Sequence, residues 1–302
     1  MEFITMRDGK SVAVRYWENV TSPRAAVVLV HGMCEYIDRY DDFCGYLNSN
    51  GYYVMGMDNR SFGETDKDDL GSGYPGMFED TVDDIKTEVD VAKQRWNTDK
   101  VLVIGHSYGS LLTQRFIEKY HADVLGAILC GSTLQDGLVL KVGSRIADRK
   151  YKKNPDEPGE IFAKLTFKSY DKKIKDGENG WINRDKAAVA AYNADPRCNF
   201  LCKVGFYKSM FDGLKLTNKE RSSVPCNFRL MIASGTDDGV GGYGKLIKKL
   251  VKSYEKKCGL SPRVKMYEGG RHEILNELNK GEVYEDFVAF LDECTDDADG
   301  KK

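Results

Sequence analysis

Short apolar runs alternate along this chain with longer stretches whose apolar residues recur every three or four positions. The runs Ala25–Val30, Tyr52–Met57, Val101–Ile104, Leu125–Cys130, Phe228–Ala233 and Val264–Tyr267 have the length and near-continuous hydrophobicity of strands buried on both faces. Phe3–Met6 and Val12–Trp17, parted by Asp8 and Gly9, predict an opening hairpin. Val82, Ile85, Val89, Ala92 and Trp96 mark a helix over Thr81–Trp96. Leu111, Leu112, Phe116 and Ile117 mark another, and Gly244–Tyr254 and Val283–Leu291 read as two more. Strands that alternate with amphipathic helices predict an α/β class: a mostly parallel central sheet with helices on both faces.

One segment breaks the rhythm. Residues 134–224 separate two core strands that a short helix would ordinarily join, and a structureless loop of that length is uncommon in a compact domain. The segment is therefore read as an inserted helical cap, with helices that include Leu138–Lys150 and Arg184–Tyr192. Leu138, Val139, Leu140, Val142 and Ile146 would form one apolar face beside the basic run Arg149–Lys153. That face suits core packing, a gate on an acyl tunnel, or transient contact with a membrane or micelle surface. Of Phe162, Phe167, Tyr170, Trp181, Phe200, Phe206, Tyr207 and Phe211, some would line a pocket and most would form the cap's own core. Residues 1–133 and 225–294 then make up the core domain, and the charged residues 295–302 are expected to be a disordered tail.

Composition narrows the function. Lys and Arg number 45 against 47 Asp and Glu, a net charge of −2, which leaves no basic surface for nucleic acid. Met1–Asp8 lacks the apolar core of a secretory signal, and no apolar run reaches the ~18 residues needed to span a bilayer. A cytoplasmic protein is expected. The eight cysteines are scattered, and several, such as Cys130, lie inside apolar runs, so buried free thiols are expected rather than disulfides. Cys198 and Cys202 have no histidine nearby, and His272-Glu273 lacks the second histidine of a zinc-binding helix. Neither a metal site nor a cofactor is expected.

The chemistry lies in Val101 to Gly109, where an apolar strand stops on a serine between Gly105 and Gly109 and passes into helix-forming sequence. This is the pattern of a nucleophile elbow, which holds Ser107 on a strained strand-to-helix turn with its hydroxyl exposed. A serine hydroxyl needs a base, and imidazole is the usual one near neutral pH. Of four histidines, His31 ends the first core strand, His106 adjoins the serine and should point away from its hydroxyl, and His121 ends the elbow helix. His272 remains, in a glycine-rich loop after the last strand. An acid is then needed to orient it, and the loop after Phe228–Ala233 offers Asp237 and Asp238.

His31-Gly32-Met33-Cys34-Glu35-Tyr36 with Arg39-Tyr40, the elbow, Gly235 to Gly241, and Tyr267 to Glu277 together resemble the monoacylglycerol lipase and lysophospholipase-like branch of the serine α/β-hydrolases. The likeness spans nearly the whole chain and extends into Trp181–Asp185 and Tyr192–Cys198. It implies the α/β-hydrolase fold with an inserted helical cap. It also implies that Ser107, Asp238 and His272 form a catalytic triad, the acid being the third residue after Gly235. The backbone N–H groups of Met33 and Tyr108 are implied as the oxyanion hole, with His31 in a structural role. Gly239 and Asp58–Gly63 depart from the family pattern without touching these residues. The implied activity is hydrolysis of acyl esters, monoacylglycerol or lysophospholipid among them, through an acyl-enzyme. A prolyl-type aminopeptidase, for which Glu157, Glu160, Glu178 and Asp185 would be candidate ammonium ligands, an aryl-esterase and a non-catalytic ligand-binding protein are the alternatives.

Overall fold

The computed structural model describes residues 1–165 and 167–300, with Lys301, Lys302 and the side chains of Phe167, a candidate pocket aromatic, Lys168 and Asp299 outside the described set. Eight strands, β1 (Glu2–Thr5), β2 (Ser11–Trp17), β3 (Ala25–Val30), β4 (Tyr52–Met57), β5 (Val101–His106), β6 (Gly126–Cys130), β7 (Arg229–Gly235) and β8 (Arg263–Tyr267), form one sheet in the order β1-β2-β4-β3-β5-β6-β7-β8. The hairpin partners β1 and β2, and β2 with β4, run antiparallel. The rest of the sheet is parallel.

Both faces of the sheet are covered, which is why its central strands read as unbroken apolar runs. Val27, Leu29, Leu102 and Ile104 pack with Phe43 and Leu47 of α1 (Asp41–Ser49) and with Phe287 and Leu291 of the last helix, Lys280–Asp299. On the opposite face, Val28, Val30 and Val103 share a core with Val82 and Ile85 of α2 (Met77–Arg95) and Leu112 and Phe116 of α3 (Tyr108–Tyr120). Between β6 and β7 the chain forms α4 (Gly137–Tyr151), α5 (Glu160–Leu165), α6 (Phe167–Ile174), α7 (Lys186–Ala194) and α8 (Val204–Glu220). Helix α8 joins this inserted segment to the core by packing on α2 and α3. The helix α9 (Lys245–Cys258) buries Ile247, Leu250 and Tyr254, and the last helix is α10.

The C-terminal residues correct an expectation. Residues 295–299 are not a disordered tail but the end of α10. Thr295 is buried and its hydroxyl donates to Leu291 O at 2.8 Å. Asp296 pairs with Arg24 at 2.8 Å, and Asp297 pairs with Arg229, so charges that looked merely solvated have partners on the core. Among the described residues, no helix is long and apolar enough to cross a membrane. All eight cysteines are free, and six of them are buried.

Glu118 of α3 is buried, and burial pushes its carboxyl up to about 8 against the pull of Arg221 and Arg115. A carboxyl raised in the folded state contributes stability below its unfolded value, and that contribution is lost as pH rises through about 8. Gln cannot titrate, so the melting temperature of Glu118→Gln relative to the native protein should climb between about pH 5 and about pH 8 and level off above that. A difference that stays flat over that range would show that Glu118 does not hold its proton.

Candidate active site

Strand β5 ends at His106 and α3 begins at Tyr108, leaving Ser107 alone in the turn at φ 52, ψ −117. The tightness of the turn explains its glycines. A Cβ on Gly105 would lie 2.2 Å from Thr113 Oγ1, and one on Gly109 would lie 2.1 Å from Val30 O, so strand and helix approach too closely for any side chain. The Ser107 N–H donates to Cys130 O at 2.9 Å, and its own carbonyl accepts from Ser110 N–H at 2.9 Å.

Parallel strands place their following loops at one edge of the sheet. The loops after β3, β5, β7 and β8 carry Met33, Ser107, Asp238 and His272 there. His272 Nε2 lies 2.8 Å from Ser107 Oγ, and His272 Nδ1 lies 3.0 Å from Asp238 Oδ1. Asp238 is fully buried and also accepts from Ser234 Oγ at 3.1 Å and from Val240 N–H at 2.8 Å. Burial alone would raise its carboxyl, but His272 and these donors outweigh burial and hold it below the usual carboxylate value. An ionised Asp238 accepts a hydrogen bond from the Nδ1–H of His272, so Nε2 faces Ser107 as an acceptor. Of the two neighbouring acids the structure brings Asp238, not Asp237, to the histidine. Asp237 is exposed, with its backbone N–H on Gly270 O at 2.9 Å.

Tyr108 is the first residue of α3, so its N–H has no partner within the helix. Met33 lines the same space as Ser107. His31 behind that loop is fully buried: its Nδ1 bonds to Gly32 O at 2.7 Å and its Nε2 accepts from Asn59 N–H at 2.8 Å. His121 lies 3.2 Å from Ile117 O at the far end of α3.

Sequence reasoning missed a buried ionic cluster beside these residues. Glu35 accepts from Gly32 N–H at 2.5 Å, from Tyr40 Oη at 2.8 Å and from Arg39 Nη1 at 2.6 Å. Arg39 also grips both oxygens of Glu273, at 2.8 and 2.9 Å. His106 points away from the Ser107 hydroxyl and into this cluster, 2.9 Å from Tyr40 Oη and 3.2 Å from Glu35 Oε1.

Two cavities meet at Ser107. One of about 320 Å³ has Glu178, Asn179 and Asn199 among its lining residues and reaches His272. The other, of about 500 Å³, is walled by apolar residues such as Leu138, Val139, Val142, Phe211 and Leu214. The inserted segment forms most of both walls, and Trp181 lays its ring 5.2 Å from the His272 ring. The aromatics Phe162, Tyr170, Trp181, Phe200, Tyr207 and Phe211 line one or both cavities. Phe162, Phe206 and Tyr207 also belong to the buried core, with Phe200 and Phe211 packed against it. Leu140 turns into the core at 6% exposed while Leu138 and Val139 are 74% and 73% exposed, so the apolar stretch of α4 is split between two environments.

This geometry has known counterparts. The family described as serine aminopeptidase, S33 (Hydrolase_4) matches residues 21–279. The chain belongs to that family. This S33 hydrolase is 24% identical over 289 residues to a monoacylglycerol lipase of Mycolicibacterium smegmatis, covering 94% of this chain and 93% of that protein. It is 25% identical to the human monoglyceride lipase, covering 90% of this chain and 82% of that one, and 24% identical to a phospholipase of Bacillus subtilis, covering 90% and 96%. The fold is that of a thermostable carboxyl esterase from Bacillus coagulans, at a TM-score of 0.88 and 22% identity over 97% of this chain and 98% of that one. The protein is therefore a hydrolase of the α/β-hydrolase fold.

Proposed function

We propose that this hydrolase cleaves monoacylglycerol, lysophospholipid or related acyl esters through a serine acyl-enzyme. The observation that carries the reading is the position of Ser107, in hydrogen-bond contact with His272 at 2.8 Å where an apolar and a more polar cavity meet. The acyl chain lies in the apolar cavity and the alcohol in the polar one, which sets the ester carbonyl against Ser107 Oγ. His272 removes the hydroxyl proton as Oγ attacks, and ionised Asp238 stabilises the imidazolium that forms. The N–H groups of Met33 and Tyr108 hold the charge on the carbonyl oxygen, each such donor being worth roughly 10²-fold to 10³-fold in turnover. His272 then returns the proton to the leaving alcohol. Water, activated by the same histidine, releases the acid.

In this reading residues 134–224 act as a cap that supplies the cavity walls, and Leu138 and Val139 of α4, exposed beside a basic run, meet a micelle or membrane surface when substrate is delivered. A prolyl-type aminopeptidase is the second reading, favoured by Glu178 at the polar cavity. The other acids considered for an ammonium are engaged elsewhere: Glu157 pairs with Lys150, Glu160 with Lys164, and Asp185 caps α7. A panel of p-nitrophenyl esters of graded chain length, with monoacylglycerol, lysophospholipid and a prolyl arylamide, separates the two. Turnover of the arylamide above the esters would overturn the ester reading.

The apolar cavity gives a sharper test. Val139→Ser removes apolar contact worth about 1 to 1.5 kcal/mol, so kcat/KM for a long-chain ester should fall roughly 10-fold while that for the acetate ester stays within about 2-fold. An equal effect on both would remove Val139 from acyl binding.

A further inference from the structure

Two buried histidines lie behind the elbow, and their surroundings set opposite protonation states. His31 Nε2 accepts the Asn59 N–H at 2.8 Å, so that nitrogen carries no proton and the ring is neutral. His106 meets acceptors at both ends. Its Nε2 lies 3.3 Å from His272 O, a carbonyl with no proton to offer. Its Nδ1 faces Tyr40 Oη and Glu35 Oε1. Tyr40 has one proton, and Glu35 Oε1 contests it at 2.8 Å. Glu35 is an ionised acceptor, gripped by Arg39 and the Gly32 N–H, so the tyrosine proton goes to Glu35. His106 Nδ1 then keeps its contacts only as a donor.

We propose that His106 is held as an imidazolium and acts as a positioning residue for the ester hydrolase reading above, joining the loop that carries Met33 to the residue that carries the general base. Through Nδ1 it anchors Glu35, which fixes the Gly32 N–H next to Met33. Through Nε2 it fixes the His272 carbonyl. Arg39 closes the same circuit from the other side by binding Glu35 and Glu273.

Charge balance agrees. The two carboxylates Glu35 and Glu273 face one guanidinium, Arg39, and the imidazolium supplies the second positive charge. Of the other titratable groups around the ring, His31 is neutral for the reason above, Tyr40 and the Cys130 thiol on β6 stay neutral because burial pushes both well above their usual values, and the ring of His272 packs against it with centroids 5.0 Å apart. Burial would lower His106 as well, but the hydrogen bond and charge of Glu35, with Glu273 behind it, outweigh burial and raise it. The charges around the ring thus favour the same proton that the acceptors at both of its nitrogens call for. Once it is lost, the Nδ1 lone pair faces two oxygens and the circuit loosens.

Histidine-selective ¹⁵N NMR of the native protein at about pH 7 reads the state directly, with the His106 signals assigned by their loss in His106→Gln. Both ring nitrogens should be protonated, and both should change together at alkaline pH as kcat for a soluble short-chain ester falls. His106→Gln should lower kcat roughly 10-fold to 100-fold, leave KM within about 2-fold, and remove the alkaline fall, as expected for misplacement rather than lost binding. A ring with one protonated nitrogen near pH 7, or an alkaline limb that survives in His106→Gln, would overturn the proposal. If His106→Gln does not fold, the His106 signals are assigned by elimination against His31→Gln, His121→Gln and His272→Gln, and the native spectrum and pH profile then decide. Loss of the ester hydrolase reading would be seen separately, as absent ester turnover by native protein whose His106 spectrum is as described.

Discussion

Ser107→Ala should reduce ester turnover roughly 10⁵-fold to 10⁶-fold, the scale seen when a triad nucleophile is removed, while circular dichroism and the melting temperature stay close to native. The atom removed is one hydroxyl that contacts His272 Nε2, and it contributes little to packing. The backbone at φ 52 already carries the strain of a side chain in the left-handed region, and Ala bears the same Cβ as Ser, so the exchange adds none. Residual turnover within about 10³-fold of native would mean that another group performs the attack.

Asp238→Asn is the second large effect. An amide in its place cannot accept the Nδ1 proton of His272 in the same way, and the tautomer that presents Nε2 as a base is lost. A fall of about 10⁴-fold in kcat with little change in KM is expected. Asp237→Asn, exposed one residue earlier, should change kcat by less than about 2-fold. If Asp237→Asn were the crippling change, the acid assignment would be wrong. The sign of the pH response follows from the same carboxylate. Its folded-state value is depressed, so its contribution to stability is present above the unfolded value of about 3.9 and is lost as pH falls through the lower folded value. Acid-induced unfolding of Asp238→Asn should therefore show a shallower loss of stability below about pH 4 than the native protein shows.

Ser107 was legible because a nucleophile elbow is local: an apolar strand, two glycines and a helix within nine residues. His272 followed because three other histidines sit where they cannot reach the hydroxyl. The strand boundaries came from buried apolar runs that differ from the observed ones by one or two residues, and Ala25–Val30 and Tyr52–Met57 match. The choice between Asp237 and Asp238 was not local. It depends on which side chain turns inward after β7, and the sequence reading took it from family resemblance rather than from residue properties.

The cluster of Glu35, Arg39, Tyr40, His106 and Glu273 was illegible for a different reason. It gathers residues from three places far apart in the chain, one of them the last residue of β5, and each alone reads as an ordinary polar residue near a strand end. Helix α1 carries Gly45 at its centre, and it packs against β4 while α8 packs against α2 and α3. The end of α10 was misread because its aspartates find Arg24 and Arg229 across the fold, partners no window of sequence contains.

Labelling with an active-site-directed fluorophosphonate, followed by peptide mass mapping, addresses the nucleophile itself. The expected result is one adduct, on Ser107, that is blocked by an excess of long-chain ester and absent from Ser107→Ala. An adduct on any other residue, or labelling that persists in Ser107→Ala, would contradict the acyl-enzyme built on Ser107.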